Sequence, residues 1–293
     1  MKPLIRLTVA LALLLAVTST ARAAAILPGF GGSSLAANDD GSTGLIPLGF
    51  GINFFGVNGG NTTQVYLNNN GNITFLNPLS TFTPFGLLTA VQPIIAPFFG
   101  DVDTSSAPGN SELMTYGAGT FDGRAAFGVN WGTSGGIGVD YFAASATHTN
   151  SNNFQLIIVE RFDTGAGNFD FMFNYDRIQW EAGQASGSDA QGCGGSSARV
   201  GWTNGGAADF ELAGSGVNGA FLDSGTCVAG PGPNALILSS LNSTVLGRYI
   251  FNVREGGVVT PLTPVPEPAT LLLLGGGLAA MTARRRGRRN AAK

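Results

Sequence analysis

Between residues 60 and 254, apolar and polar positions alternate with the period of a β-strand. The segment Asn168–Tyr175 carries an aromatic side chain at every second position, which places four rings on one face of an extended strand. Arg124–Trp131 repeats this period, and Trp131 lies on its apolar face, so we predict that Trp131 belongs to the core. Phe154–Val159 is apolar on both faces, as in a central strand packed on each side.

Five shorter segments extend this β pattern. The first two flank Asn68-Asn69-Asn70-Gly71, where Asn-Gly supplies the positive-φ residues of a tight hairpin. Regular strands, glycine-rich connections and the lack of an amphipathic helical pattern predict an all-β fold, an antiparallel β-sandwich with long Gly-rich loops. The shorter predicted strands are Thr63–Leu67, Asn72–Leu76, Leu113–Tyr116, Ala198–Thr203 and Arg248–Val253.

The N-terminus has the three parts of a secretory signal in their usual order. Lys2 and Arg6 precede an apolar stretch, Leu7–Val17, and the small-x-small sequence Ala21-Arg22-Ala23 follows it. The alternative, an internal core helix, does not require this order of charge, apolar run and cleavage site. We therefore predict a signal peptide over residues 1–23 and a mature chain that begins at Ala24.

The C-terminus combines Pro266-Glu267-Pro268 with a short apolar run and a cluster of arginines. The run covers residues 269–283, and it predicts a short transmembrane helix with the arginines on the cytoplasmic side. A permanent one-span anchor is an alternative, because tilt and snorkelling arginines accommodate a short span. The cluster consists of Arg284, Arg285, Arg286, Arg288 and Arg289.

This tail, residues 266–293, resembles the PEP-CTERM sorting signal of Gram-negative bacteria. The resemblance implies recognition by exosortase, a membrane transpeptidase of cells that make extracellular polysaccharide. It also implies an inner-membrane intermediate, followed by cutting near Pro266-Glu267-Pro268 and release or transfer of the body to the cell surface or the extracellular matrix. The partners that it implies are therefore exosortase and a membrane.

Charge is distributed unevenly between the ends and the body. The whole chain has a formal net charge of −3, but nine of its fifteen positive residues lie before residue 24 or after residue 283. Residues 24–265 retain six arginines, no lysine and seventeen acidic residues, which gives a net charge of −11. Without a basic stripe to neutralise phosphates, nucleic acid is excluded as an expected partner, and cations or neutral polymers fit better.

The composition of the body predicts a folded domain. Glycine and proline make up about a fifth of the chain, below the fraction of roughly 25–30% that is typical of low-complexity disorder. Twenty phenylalanines are enough to fill a sizeable core. We predict one β-sandwich domain over residues 24–255, followed by a linker over residues 256–265.

Cys193 and Cys227 are the two cysteines of the chain. In an exported protein such a pair is predicted to form a disulfide, which would close a loop of about 35 residues and stabilise the fold by roughly 3.5–4 kcal/mol on the chain-entropy model. Zinc is the competing interpretation, but two cysteines without a histidine cluster are too few ligands. His148, the one histidine, is predicted to lie in a polar loop.

The body also resembles the nidogen extracellular domain family, NIDO. Six collinear segments within residues 60–254 carry the resemblance, although Phe99-Gly100 stand where the family tends to have tryptophan and alanine. Family members occur in adhesion and matrix proteins, so the resemblance implies attachment, with extracellular polysaccharide or a surface protein as the partner. The segments are Val65–Phe75, Ile95–Asp103, Asn153–Ile158, Phe173–Tyr175 together with Ile178–Trp180, Ala198–Trp202 and Gly247–Phe251.

Asp101 and Asp103 form the sharpest candidate site. Residues i and i+2 of an extended segment point the same way and can share a hard cation, which makes calcium a possible cofactor. Calcium needs six to eight oxygen ligands, so loop carbonyls, Asn110 or Asp122 would have to contribute. The alternative is that both aspartates accept hydrogen bonds from backbone amides in turns.

Two carbohydrate-directed functions stand beside adhesion. Paired carboxylates hydrolyse glycosides when they lie about 5 to 9.5 Å apart, and exposed tryptophans such as Trp131, Trp180 or Trp202 stack on sugars. The chain has no GxSxG, HExxH or phosphate-binding glycine motif, so we predict a non-catalytic protein. The carboxylates considered for hydrolysis are Asp101, Asp103, Glu112, Asp140, Glu160 and Glu181.

Overall fold

The computed structural model describes residues 24–142, 150–223 and 227–258, together with the backbone of the strand at 265–266. The described chain is almost entirely β-structure, with three short 3-10 helices at Val57–Gly60, Leu87–Thr89 and Leu236–Leu238. The strands are β1 (Ser33–Ser34), β2 (Ile46–Ile52), β3 (Thr62–Asn68), β4 (Asn72–Thr74), β5 (Ile94–Phe99), β6 (Met114–Phe121), β7 (Arg124–Trp131), β8 (Asn152–Glu160), β9 (Phe169–Ile178), β10 (Arg199–Thr203), β11 (Asp209–Glu211), β12 (Ser239–Ser240), β13 (Arg248–Arg254), β14 (Gly257–Val258) and β15 (Val265–Pro266).

Two antiparallel sheets form the predicted sandwich. The larger has seven strands in the order β1-β6-β7-β8-β9-β13-β14, and the smaller has six in the order β11-β10-β5-β4-β3-β2. A separate two-stranded pair joins β12 to β15, with Ser240 opposite Val265. Strands β8 and β9 pair near the centre of the larger sheet. Seven consecutive residues of each strand are paired, from Phe154 opposite Tyr175 to Glu160 opposite Phe169.

Aromatic side chains fill the space between the sheets. Trp131 of β7 is fully buried and stacks on Phe154 of β8, with ring centroids 5.1 Å apart. Phe98, from β5 in the opposite sheet, packs against Phe154 at 5.2 Å. The four rings of β9 all lie in this same buried cluster, which confirms both the predicted strand face and the predicted position of Trp131.

Each sheet also has its outer face covered by part of the chain. Residues 25–32 cross the larger sheet, where Phe30 packs on Ile157 and Met172 in a second apolar cluster. The connection from β4 to β5 covers the smaller sheet, with Leu87 packed beside Phe99 in a third cluster. These covers explain why β8 is apolar on both faces, as the sequence predicts.

The predicted strands are all present, with ends shifted by a few residues. Strand β2 was not predicted because Pro47, Gly49 and Gly51 interrupt its pattern, and it lies at an edge of its sheet, where proline is tolerated. Strand β5 was also not predicted, and it contains Pro97 where its pairing with β10 is irregular. The other missed strands have only two or three residues, too few for a period to be read.

The predicted hairpin joins β3 to β4, with Asn68 opposite Asn72. Its turn differs from the prediction, because Gly71 alone has a positive φ, at 72°, while Asn70 does not. Gly71 is required by contact as well as by conformation, since a Cβ atom there would lie 1.8 Å from the carbonyl oxygen of Phe98.

The predicted disulfide between Cys193 and Cys227 is present and links two loops of the body. In the part of the chain that the structure describes, no helix is long and apolar enough to span a membrane. The predicted signal peptide 1–23, His148, the transmembrane segment 269–283 and the arginine-rich tail lie outside the described residues.

Candidate functional site

Three carboxylates meet where the smaller sheet ends. Asp101 follows strand β5, whereas Asp39 and Asp40 lie in the loop between β1 and β2. One carboxylate oxygen from each of the three lies within 4.8 Å of the others. Asp101 is buried, Asp40 is half-buried and Asp39 is exposed, so this acidic cluster opens to solvent on one side.

Asparagines of the β3–β4 turn hold the acidic cluster together. Asn70 donates through Nδ2 to Asp40 Oδ1 at 2.7 Å, while its own Oδ1 accepts the amide of Val102 at 2.9 Å. Asn69 donates to the carbonyl of Val102, and the backbone carbonyl of Asn69 accepts the indole N–H of Trp131. The polar turn is therefore anchored to the core beneath it, and it fixes the separation between the two acidic segments.

Asp103 is not one of the three clustered carboxylates. Its Oδ1 accepts the amide of Ser105 at 2.7 Å, as the turn interpretation describes. Its backbone bridges to Asp39 and to Asp140 instead, and this bridge brings Asp39 beside Asp101. The chain leaves the extended conformation at Gly100, where the Val102 amide bonds back to the Gly100 carbonyl, so the i, i+2 geometry that the prediction assumed is lost.

Asp39 and Asp40 were not among the predicted site residues. The Asp39-Asp40-Gly41 run is a visible turn signal, but its position beside Asp101 depends on pairing across the fold. Asp122, considered as a further ligand, instead pairs with Arg124 at 3.0 Å in the β6–β7 turn.

Proximity and burial raise two pKa values in the cluster. Partial desolvation, together with the nearby carboxylates of Asp40, Asp103 and Asp101, raises the pKa of Asp39 to about 7. Burial, with a contribution from Asp40, raises the pKa of Asp101 to about 6, although hydrogen bonds from Ser186 oppose the rise. The cluster therefore concentrates negative charge that a hard cation would offset, and oxygen atoms are the ligands that calcium prefers.

Two of the other carboxylates considered for hydrolysis, Glu181 and Glu112, hold backbone loops in place. Glu181 is buried, accepts the amides of Gly219 and Phe221, and has a pKa raised to about 7 mainly by burial. Glu112 accepts the amide of Gly138 at 2.8 Å and both donors of Thr133. Hydrogen bonds of this kind position a loop rather than a substrate.

The tryptophans considered for sugar stacking are all buried. Trp180 donates its indole N–H to the carbonyl of Val139 and packs edge-on against Phe98. Trp202 is 3% exposed and stacks on Phe55 with ring centroids 4.4 Å apart. The idea that Trp180 or Trp202 offers a face to a sugar is therefore wrong, because both rings are buried against other side chains of the core.

Comparison with known proteins identifies the family of the body. The nidogen-like domain family, NIDO, matches residues 63–255, about two thirds of the chain. The chain belongs to the nidogen-like domain family. The acidic cluster thus includes Asp101 from within the matched NIDO residues, and Asp39 and Asp40 from the segment before them.

A second family match covers the tail. The PEP-CTERM protein-sorting motif matches residues 264–289, which marks this NIDO protein for export, sorting and exosortase processing. The body and the tail together make it an exported, extracellular protein with a matrix-type domain.

Among curated proteins, the NIDO body is similar to alpha-tectorin. The human and mouse proteins are each 33% identical over 192 residues, and the chicken protein is 32% identical over 191 residues. These matches cover 59% of this chain but 8% of alpha-tectorin, so the chain spans only a small part of its curated relatives. No solved structure matches the chain significantly.

We predict that the acidic cluster makes the NIDO body less stable as the pH rises. The folded state raises the pKa of Asp101 to about 6 and that of Asp39 to about 7, so it holds protons that the unfolded chain releases near pH 4. The free energy of unfolding should therefore fall between pH 4 and pH 7. Asp101→Asn should be more stable than the parent at pH 7 by on the order of 1–2 kcal/mol, and this difference should shrink towards pH 4.

Urea unfolding at several pH values measures this difference. Asp122→Asn is the matched control, because it removes an exposed carboxylate outside the cluster. A difference for Asp101→Asn that stays constant from pH 4 to pH 7 would contradict the raised pKa of Asp101.

We also propose that the acidic cluster, including Asp101, binds calcium. Millimolar calcium should then raise the melting temperature at pH 7.5 in a concentration-dependent manner, because the ion binds the folded state alone. Asp101→Asn should abolish the rise, whereas Asp103→Asn tests whether the second aspartate contributes. Scanning calorimetry with calcium, magnesium or chelator is the measurement, and an unchanged melting curve of the parent protein in calcium would exclude the site.

Proposed function

We propose that this protein is a non-catalytic adhesion module, sorted by exosortase to the cell surface or extracellular matrix. One observation supports this proposal above all: a nidogen-like body at 63–255 and a sorting motif at 264–289 occur in the same chain. The first is a matrix-type domain and the second is a delivery signal. A matrix-type domain that is delivered to the cell surface is suited to attach the cell to its surroundings, and we take attachment as its function.

The proposed route begins with removal of the signal peptide, residues 1–23. The apolar segment 269–283 then holds the chain in the inner membrane of a Gram-negative bacterium, with the arginine cluster in the cytoplasm. Exosortase cuts near Pro266-Glu267-Pro268, and the domain over residues 24–255 leaves with part of the linker 256–265. The short span and the motif before it support processing over permanent anchoring.

The proposed partners are extracellular polysaccharide or another surface protein. The body has a net charge of −11 and no lysine, so polyanions such as nucleic acid are poor partners. Neutral polymers and cation-bridged surfaces suit it better. The exposed side of the acidic cluster supports cation bridging, because a calcium ion held there would have coordination positions left for a ligand on the partner.

A carbohydrate-binding or carbohydrate-hydrolysing protein of the exopolysaccharide matrix is the second candidate. The specific observation in its favour is the proximity of Asp39, Asp40 and Asp101, together with a pKa of about 7 at Asp39. Glycosidases combine two nearby carboxyl groups, one of which is protonated near neutral pH. A cleft of about 340 Å³, lined in part by Leu212, Leu238 and Tyr249, lies apart from the cluster and does not include any of its three carboxylates.

We predict that the mature protein binds the extracellular matrix of the organism that produces it. Purified protein of residues 24–265 should be retained on isolated matrix well above a denatured sample of the same chain. Retention should fall in chelator and in Asp101→Asn if calcium bridges the contact, and Asp122→Asn should bind like the parent. Quantitative pull-down is the measurement.

The same samples separate the two candidates. Release of reducing sugar from matrix glycan, abolished in Asp101→Asn, would contradict the non-catalytic function and favour hydrolysis. Equal retention of native and denatured protein, with no sugar released, would contradict both candidates.

We predict that the cell-surface form ends near Pro266-Glu267-Pro268. Intact-mass measurement of protein released from the cell surface should find a C-terminus in this region, because exosortase would cut there. Replacement of Glu267 by alanine should leave the full-length form in the membrane fraction. A surface form that still contains Arg289 would show that the tail is an anchor instead.

A further inference from the structure

The first residues of the predicted mature chain lie in a polar groove on the outer face of the larger sheet. Four buried polar side chains form a row across this face: Asn130, Gln155, Asn174 and Arg248, on β7, β8, β9 and β13. Strand register places each directly opposite the next, since Asn130 pairs with Gln155, Gln155 with Asn174, and Asn174 with Arg248. This row crosses the four central strands of the sheet.

The row binds the backbone of the N-terminal segment at several points. Gln155 accepts the amide of Leu27 at 3.0 Å and donates to its carbonyl at 2.7 Å. Asn130 donates to the carbonyl of Phe30 at 3.0 Å, and Arg248 donates to that of Ala25 at 2.6 Å. The polar row therefore binds this segment through its backbone: the amide and the carbonyl of Leu27, and the carbonyls of Ala25 and Phe30.

Apolar contacts complete the seat. Phe30 is 2% exposed and packs with Ile157 and Met172 on the outer face of the sheet. A Cβ atom at Gly128 would lie 2.6 Å from the Phe30 side chain, so the glycine makes room for the ring. The start of the mature chain is thus part of the fold and not a loose tail.

Asp176 closes the far end of this groove. It lies two residues beyond Asn174 on the same face of β9, and its Oδ1 accepts the amides of Ala25 at 2.6 Å and Ile26 at 3.2 Å. Its Oδ2 is buried and has no hydrogen-bond donor among the described residues. A buried carboxylate oxygen without a donor is costly, so a donor is expected at this position.

The nearest donor that processing would create belongs to Ala24. Its nitrogen is three covalent bonds from the Ala25 nitrogen and lies within about 4 Å of it. In the precursor this nitrogen is an uncharged amide, whereas cleavage after Ala23 turns it into an ammonium group with three donors. The charge then lies beside the carboxylate that already holds the Ala25 amide.

We propose that Asp176 is the receptor for the α-ammonium group that signal-peptide cleavage creates at Ala24. The ion pair locks the N-terminal segment into its groove, so the fold is completed only after the chain has been released from its leader. The proposal rests on the predicted cleavage site, and it is independent of the adhesive function. Arg248 is the other charged group that faces this end of the groove, and Asn174 and the Ala25 carbonyl hold its guanidinium.

The pair has a defined pH dependence. An α-amino group ordinarily has a pKa of about 7.7–8.0, and a carboxylate within about 4–6 Å raises it. The stabilisation is then fully present below about pH 8 and is lost as the pH rises through the raised pKa. Acetylation of the amine should lower the melting temperature at pH 7. It should change the melting temperature little at a pH above the raised pKa, where the unmodified amine is already neutral.

The lack of lysine makes the test selective. Lys2 and Lys293 are the only lysines of the chain, and both lie outside residues 24–265, so the α-amino group is the single amine of the mature body. We would purify the processed protein from the producing cells and treat it with a dilute acetylating ester between pH 6.5 and 10. Mass spectrometry of the N-terminal peptide identifies the first residue and gives the rate of acetylation.

We expect Ala24 to be the first residue. Its amine should be acetylated about tenfold more slowly at pH 7.5 in the folded protein than in the urea-unfolded chain, because each unit by which the amine pKa is raised lowers the neutral fraction about tenfold. Asp176→Asn should shift the pH midpoint of the reaction back towards 8. Its amide oxygen still accepts the Ala25 amide, so this variant removes charge while keeping the acceptor. Asp122→Asn, an exposed carboxylate elsewhere, should leave the midpoint unchanged.

Two results would overturn the proposal. A processed protein that begins at a residue other than Ala24, or that keeps its leader, removes the ammonium group from this site. A midpoint near 8 in the parent protein shows that Asp176 does not pair with the amine. If Asp176→Asn fails to fold, the melting temperatures of acetylated and free parent protein across pH decide the question, and equal values at pH 7 count against the ion pair.

Discussion

The packing of aromatic side chains between the two sheets is the interaction on which the rest of the structure depends. Phe171 of β9 stacks on Phe251 of β13 at 4.7 Å, while Trp131, Phe154 and Phe98 link β7 and β8 to β5 in the opposite sheet. Large rings bury more apolar area than any other side chains and prefer specific contacts. They fix both the separation of the sheets and the register of the strands that carry them.

This core leaves two further apolar faces to cover, because the central strands are apolar on both sides. The chain covers one with residues 25–32 and the other with the connection from β4 to β5. Both covers contain no charged residue, which suits segments that lie on an apolar face. The cover of the larger sheet also needs the polar row from Asn130 to Arg248, since its backbone groups would otherwise be buried without partners.

The candidate site, in contrast to this polar row, lies where strands end. The acidic cluster lies beyond β5, and the asparagines of the β3–β4 turn tie it to Trp131 in the core. Most other buried carboxylates hold loops, as Glu181 does for the segment from Gly219 to Phe221. Loops held by a rigid scaffold are where binding and catalytic residues usually lie, and the acidic cluster has such a position. The nidogen-like family and the sorting motif place this domain in an exported, extracellular protein.

The sequence alone determined the β-sandwich, most of the strands, the core position of Trp131 and the disulfide, because strand periodicity and cysteine count are local signals. It also determined the two families, whose motifs are short stretches that follow one another in order along the chain. It did not determine β2, where proline and glycines break the period, or the partner of Asp101, because Asp39 reaches that position through a bridge between residues far apart in the chain. The seat of the N-terminal segment was likewise decided by the tertiary structure. Asn130, Gln155, Asn174 and Arg248 look like unrelated polar residues until the register of four strands aligns them in one row.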